Sequence, residues 1–201
     1  MIAILDTSED LDVCEARLAA RSRNCLRHLA ASLCSAKGGG LESITGAFKQ
    51  FDEDAFLSLL NREKSRRHLC RFVCCPDIVA DARRTLEIFE HWKHNLAGWP
   101  IALVAQDGLE NLPIPWLQIQ ALFIGGSTQW KDGPHASAIV RAGVILKKWV
   151  HVGRINTPGR FEHFRKLGAH SMDGSGLARF SQMRERIWDA QHKPTLFASN
   201  D

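Results

Sequence analysis

Asp77, Gln106, Gly125, Gly126, His151, Arg154 and Asp173 share one property in the sequence: each stands at, or close to, the C-terminal end of a short apolar run. "CRFVCCPD" ends at Asp77, and "WPIALVAQDG" runs out at Gln106 and Asp107. "IQALFIGGST" exits through Gly125-Gly126, "WVHVGRIN" through His151, Gly153 and Arg154, and "GAHSMDG" through Asp173. In a parallel α/β fold such strand ends converge on one face, where ligands bind. Two carboxylates, an amide, bare glycine backbone and an arginine around one pocket can hydrogen-bond a purine edge and leave one acid as nucleophile. Each residue also has a plainer reading. Asp77 can cap a helix beginning near Ile78, Gln106-Asp107-Gly108 and "DGSG" can be turns, and the glycine pair can be a tight strand exit. Joint placement is the stronger signal.

The elements that must position these residues alternate in type. After "CRFVCCPD" comes "IVADARRTLEIFEHWKHNL", in which Ile78, Ala82, Leu86, Phe89 and Leu96 recur at roughly helical spacing. A helix over 135–148 follows the third run, and Pro158 opens a helix through "GRFEHFRKL", at a position where proline is tolerated. Successive apolar runs lie about 25 residues apart, which suits a (β/α) barrel. The expected fold is α/β: a small TIM-barrel-like (β/α) fold, complete or incomplete, with a doubly wound open sheet as the alternative. Upstream, "MIAILDTS" reads as a strand, 14–36 as an amphipathic helix stopped by "KGGG", and 51–61 as a helix with acids in its first turn. A single domain over 1–201 with a divergent N-terminal region over 1–43 is expected.

Composition narrows the function classes. With 45% hydrophobic and 24% charged residues the chain is of ordinary globular type rather than disordered. It has no apolar run long enough to span a membrane, so no membrane partner is expected. "MIAILDTSED" lacks the basic start of a secretory signal, and a cytoplasmic location is expected. The six cysteines, Cys14, Cys25, Cys34, Cys70, Cys74 and Cys75, include no CxxC, so free thiols are expected and structural zinc is not. A net charge of +4 permits a nucleic-acid partner without requiring one. Basic residues gather in "REKSRRH" and around Arg154, Arg160, Arg165 and Lys166, where a solvated face is the plain reading.

A family resemblance extends this reading. "LFIGGSTQWKDG", "GVILKKWVHVGRINTPGRFEHFRKLGAHSMDGSGLARF", "FVCCPDIVADARRTLEIFEHW" and "ALVAQDGLE" together resemble small guanine-transglycosylase-like proteins of phages and bacteria, relatives of the tRNA-guanine transglycosylases. The resemblance covers roughly residues 44–180. It implies a (β/α) barrel and an exchange of guanine for a 7-deazaguanine base in nucleic acid, DNA or tRNA. By it, Asp173 matches the nucleophile that attacks the sugar's anomeric carbon, Asp77 the acid facing the base's N–H edge, and Gln106 the glutamine reading its carbonyl. Gly125 and Gly126 match backbone lying against the base. His151 and Arg154 join the substrate-binding set, Arg154 as a phosphate clamp whose fork fits phosphate geometry.

The chain departs from the family in two places. "SITGAFKQF" keeps Gly46 and Phe48 of a D-[SN]-G-[AGC]-F motif but carries Ile44 where that motif has its general acid/base aspartate. Asp6 is the substitute the sequence offers. The cysteine-rich zinc site of the tRNA enzymes is also missing, which favours DNA or a smaller substrate. The leading expectation is therefore a cofactor-free pentosyltransferase exchanging bases, with a homodimer left open. A nucleoside-level or glycosidase-like variant of the pocket and a catalytically silent nucleobase- or nucleic-acid-binding protein are the alternatives.

Overall fold

The computed structural model describes residues 2–4, 53–174 and 185. Six strands form one sheet in the order β1-β6-β5-β4-β3-β2, and every pairing is parallel. They are β1 (Ile2–Ile4), β2 (Val73–Cys74), β3 (Ile101–Ala105), β4 (Ala121–Ile124), β5 (Trp149–Val152) and β6 (Ser171–Asp173). From β2 to β6 each strand lies beside the next in sequence, so the order never reverses. A doubly wound sheet needs such a reversal. β1 then joins β6, at the far edge from β2, as the first strand of a ring joins the last. The structure is a mixed α/β fold with a curled parallel sheet, compatible with a partial (β/α) barrel.

Ring contacts measure the curl. Neighbouring strands are about 4.8 Å apart, so a flat sheet would hold β2 and β5 about 14 Å apart. Yet the rings of Phe72, which leads into β2, and His151 on β5 have centroids 5.4 Å apart, and Phe123 on β4 stacks 4.7 Å from His151. The residues between them on this face are small: Ala102 and Ala121, both fully buried beside Phe72. Side chains on alternate positions point to the other face, where Leu103, Leu122, Ile124, Val150, Val152 and Met172 pack beneath the helices.

Local signals set the elements. α1 (Glu53–Arg62) has Glu53 and Asp54 in its first turn, where the helix macrodipole favours acids. α2 (Ala82–Trp92) is capped by Asp81, whose side chain accepts from Arg84 N at 3.0 Å. That assignment removes the plainer reading of Asp77: the helix starts at Ala82, and its cap is another acid. α3 (Thr128–Lys131) starts at Ser127 and α4 (Pro134–Ile145) carries proline in its first turn. α5 (Pro158–Lys166) is capped by Thr157 and likewise opens on proline. It ends in paired reverse bonds, Gly168 N to Arg165 O and Ala169 N to Phe164 O, each 3.0 Å, with Gly168 at φ 88. β6 begins shortly afterwards, so this stop sets where Asp173 emerges. Among the described residues the crossover from β3 to β4 lacks an α-helix; Pro113 and Pro115 interrupt it, leaving short 3₁₀ turns at Leu109–Asn111 and Trp116–Gln118. Of the strand expected over 1–8 the described part is β1, and the helix expected over 51–61 appears as α1, whereas the helix expected over 14–36 lies outside the described residues.

The helix-side core depends on large rings with no exposure, among them Phe89, Phe161 and Phe164. Removing such a ring forfeits its burial and leaves a cavity. Phe161→Ala should lower stability by about 3–5 kcal/mol, read from the urea midpoint. A change under about 1 kcal/mol would show that α5 does not anchor the sheet as described.

Candidate functional site

The loops after β2, β3, β4 and β5 and the end of β6 interlock through side chains at the sheet's C-terminal edge. Gln106 sits just past β3 and is almost fully buried. Its Nε2 donates to Asp77 Oδ2 at 2.5 Å, and its Oε1 accepts from Ala80 N and Gly126 N, both at 3.0 Å. Two backbone donors on one oxygen settle the amide's orientation, because a flipped amide would set N–H against N–H. Oε1 is then saturated. What Gln106 has left to offer a ligand is its second Nε2 hydrogen, so it can read a carbonyl.

Glycine is required where this amide passes the next loop. A Cβ on Gly125 would lie 2.7 Å from Gln106 Nε2, and Gly126, at φ +50, would press a Cβ to 2.3 Å from the Trp130 ring. The neighbouring Asp107 serves the scaffold. Its carboxylate accepts from Ser127 N at 2.6 Å and Ser127 Oγ at 2.5 Å, tying the β3 exit to the start of α3. The turn reading thus holds for Asp107 and Gly108, while Gln106 faces the edge.

Asp173, the last residue of β6, is held at both oxygens. Oδ1 accepts from Arg154 N at 2.7 Å, and Oδ2 lies 3.0 Å from His151 Nε2. Its side chain keeps 33% exposure, whereas His151 keeps 2% and lies inward on β5. Arg154 is exposed, sits at φ 59, and sends its guanidinium to the Gly126 carbonyl. A non-glycine residue in the left-handed region carries a cost of order 1–3 kcal/mol, here offset by hydrogen bonds to both flanking loops. Beneath it Lys131, 2% exposed, donates from Nζ to Gly153 O at 2.6 Å and so braces the same loop.

The two acids are pushed apart. Burial pushes the Asp77 carboxyl above the ordinary aspartate range, and the Gln106 hydrogen bond and the Arg154 charge offset only part of that. Burial acts on Asp173 too, but the His151 hydrogen bond and charge, the Arg154 N–H and the Lys131 charge outweigh it and hold the carboxyl below that range. Lys131 itself is lowered to about 8, first by burial and then by the Arg154 charge, with Asp173 pulling the other way. Carboxyls set in opposite directions at one edge of a sheet form the pattern in which one serves as an ionised group and the other as a proton-sharing one.

Of the positions singled out in the sequence, Asp77, Gln106, Gly126, Arg154 and Asp173 form one connected set, with Gly125 packed under Gln106. His151 stands behind Asp173 with both ring nitrogens engaged, 2.9 Å from Ser171 Oγ as well as 3.0 Å from the carboxylate. Asp6 and Ile44 lie outside the described residues. Sequence reading passed over Lys131, Ser171, Trp149 and Ala80. Ser171 and Trp149 were findable, because each is two residues from a named site residue on the same strand and therefore shares its face. A lysine buried at the end of α3 and the φ 62 of Ala80 leave no such trace. Cys70 Sγ donates to the Phe72 carbonyl at 3.3 Å, and burial pushes the Cys75 thiol up to about 12. Among the described residues no three His, Cys, Asp or Glu side chains gather as a metal site, and no helix is long and apolar enough to cross a membrane.

No protein-family model matches the sequence, and no curated protein matches it significantly.

The opposed shifts carry signs that can be measured. Asp173, depressed, contributes stability that is present above about pH 3.9 and is lost as pH falls through its folded value. Asp77, raised, does the reverse: stability declines as pH climbs from about 3.9 through its folded value. Carboxyl-carbon NMR titration should place the Asp77 midpoint above the Asp173 midpoint. Coincident midpoints, or the reverse order, would contradict the electrostatic description.

Proposed function

We propose that this protein is a guanine-transglycosylase-like pentosyltransferase, which exchanges guanine in nucleic acid for a 7-deazaguanine base through a covalent aspartyl-sugar intermediate. The observation that carries the reading is Asp173: a partly exposed carboxylate, kept ionised, bridged through Arg154, Gly126 and Gln106 to a second carboxyl of raised pKa. In the first step an Asp173 oxygen bonds to the anomeric carbon while the glycosidic C–N bond breaks, its electron pair leaving with the base. In the second, a ring nitrogen of the incoming base gives up its proton, which balances the proton taken up by the expelled guanine anion, and bonds to that carbon as the carboxylate departs. A low carboxyl pKa suits the second step, since a weakly basic carboxylate leaves readily.

Base recognition falls to the other acid. The free N–H of Gln106 suits a purine carbonyl and gains strength as negative charge builds there on departure. Asp77, when ionised, accepts from the ring and exocyclic N–H groups beside that carbonyl. A base reaches a group as buried as Gln106 only by leaving its stack. Arg154 is exposed at the same end and suits phosphate, with DNA the favoured polymer because the zinc element of the tRNA enzymes is absent from the sequence. A second reading, a silent nucleobase-binding protein, is favoured by one residue: Ile44, which transfers no proton, stands where the family resemblance implies an acid.

The test incubates wild type, Asp173→Asn and Asp77→Asn with guanine-containing DNA and tRNA plus labelled guanine or 7-deazaguanine. Asp173→Asn should lose at least ~10³-fold in incorporation while folding and binding persist, as expected when a nucleophile is removed. Asp77→Asn should weaken or redirect base choice, because a donor replaces an acceptor opposite the purine N–H groups. Incorporation by Asp173→Asn at the wild-type rate removes this mechanism. A wild type that binds guanine or nucleic acid yet incorporates nothing selects the silent reading.

A further inference from the structure

We propose that Trp149, Ser171 and His151 form a hydrogen-bond relay that positions the Asp173 carboxylate and, whenever the imidazole is neutral, sets it as the Nε2–H tautomer. All four side chains occupy alternate positions of two paired strands, Trp149 and His151 on β5 and Ser171 and Asp173 on β6, with His151 in register with Ser171. Period-two alternation puts them on one face, so the relay runs along the sheet interior from its N-terminal end toward the site.

Donor counting sets the direction. The indole N–H of Trp149 can only donate, and it donates to Ser171 Oγ at 2.8 Å. Ser171 is fully buried, and its oxygen lies 2.9 Å from His151 Nδ1. With the indole taking one lone pair, the hydroxyl proton points to Nδ1, which accepts it. Nε2 then carries the ring proton and donates to Asp173 Oδ2 at 3.0 Å. The opposite tautomer fails twice: it turns the Nε2 lone pair toward a carboxylate oxygen and leaves a buried hydroxyl proton seeking another acceptor. Phe123 and Phe72 lie against the ring, at 4.7 Å and 5.4 Å, and limit its rotation. At the far end Trp149 is itself wedged between the His170 ring, 5.0 Å away, and the Arg71 guanidinium, 4.3 Å from its centroid.

Because His151 is 2% exposed, it acts through Asp173 rather than on substrate and is a positioning residue. Its catalytic consequence rests on the reading of Asp173 as nucleophile; the relay does not. The experiment therefore has two arms on the full chain. In the first, long-range proton–nitrogen spectra of ¹⁵N-labelled protein are recorded at alkaline pH, where imidazoles are neutral, with His151 assigned by its loss in His151→Phe. Wild type should show Nδ1 bare and Nε2 protonated, and Ser171→Ala should move the two shifts toward each other. A protonated Nδ1 in wild type, or an unchanged pattern in Ser171→Ala, overturns the relay. In the second arm Ser171→Ala should lower kcat for base exchange about 10-fold at unchanged KM, the order of loss seen when an orienting partner is removed. Ser171→Thr, which keeps the hydroxyl, should recover most of it. A fall in kcat that Ser171→Thr does not recover overturns the positioning role. A wild type that exchanges no base defeats the transglycosylase reading instead, and the spectra alone then decide the relay.

Discussion

Arg154 ties the two halves of the site together. Its amide N–H holds Asp173 Oδ1 at 2.7 Å, and its guanidinium reaches the Gly126 carbonyl, whose own amide rests on Gln106 and through it on Asp77. Arg154 makes both bonds with its backbone in the left-handed region, at φ 59. The loop that bears it is braced from below by Lys131 on the Gly153 carbonyl. Without that bridge, the strand ends would present separate polar groups rather than a connected set.

The electrostatics follow from the same arrangement. Asp77 and Asp173 are both withdrawn from water, so burial alone would raise both. They diverge because their partners differ. Asp173 receives donors on both oxygens, and the charges of His151 and Lys131 add to them. Asp77 has a neutral amide and a more weakly acting arginine, too little to reverse desolvation. One edge of the sheet thus carries a carboxyl pushed down and another pushed up. Glycosyl transfer uses that combination, because charge must develop on the base and on the sugar in turn.

Much of the fold was legible in the sequence because parallel strands buried on both faces appear as apolar runs ending in polar or glycine residues. β3, β4, β5 and β6 fall inside the runs that end at Gln106, Gly125, Arg154 and Asp173, and α5 begins at Pro158 as its proline position implies. The sheet order, which is compatible with a partial (β/α) barrel, is something only strand pairing can supply. The site was half legible. Residue types at strand ends pointed to Asp77, Gln106 and Asp173, but the bridge made by Arg154 depends on a backbone angle, and the burial of Lys131 depends on how α3 meets the sheet. Neither leaves a periodic mark. His151 was legible as a strand-end residue, while its engagement with Ser171 and Asp173 needed the β5–β6 register.

The central claim is that the Asp173 carboxylate bonds to a sugar carbon, and the most direct measurement is to find that bond. Wild-type protein incubated with a guanine-containing oligonucleotide, in the absence of incoming base, is quenched in acid, digested and mapped by tandem mass spectrometry. The account predicts an adduct on the peptide spanning Asp173, with the sugar attached to that side chain and guanine released in equal amount. A preparation that exchanges base while carrying the adduct on another residue, or carrying none, would contradict it.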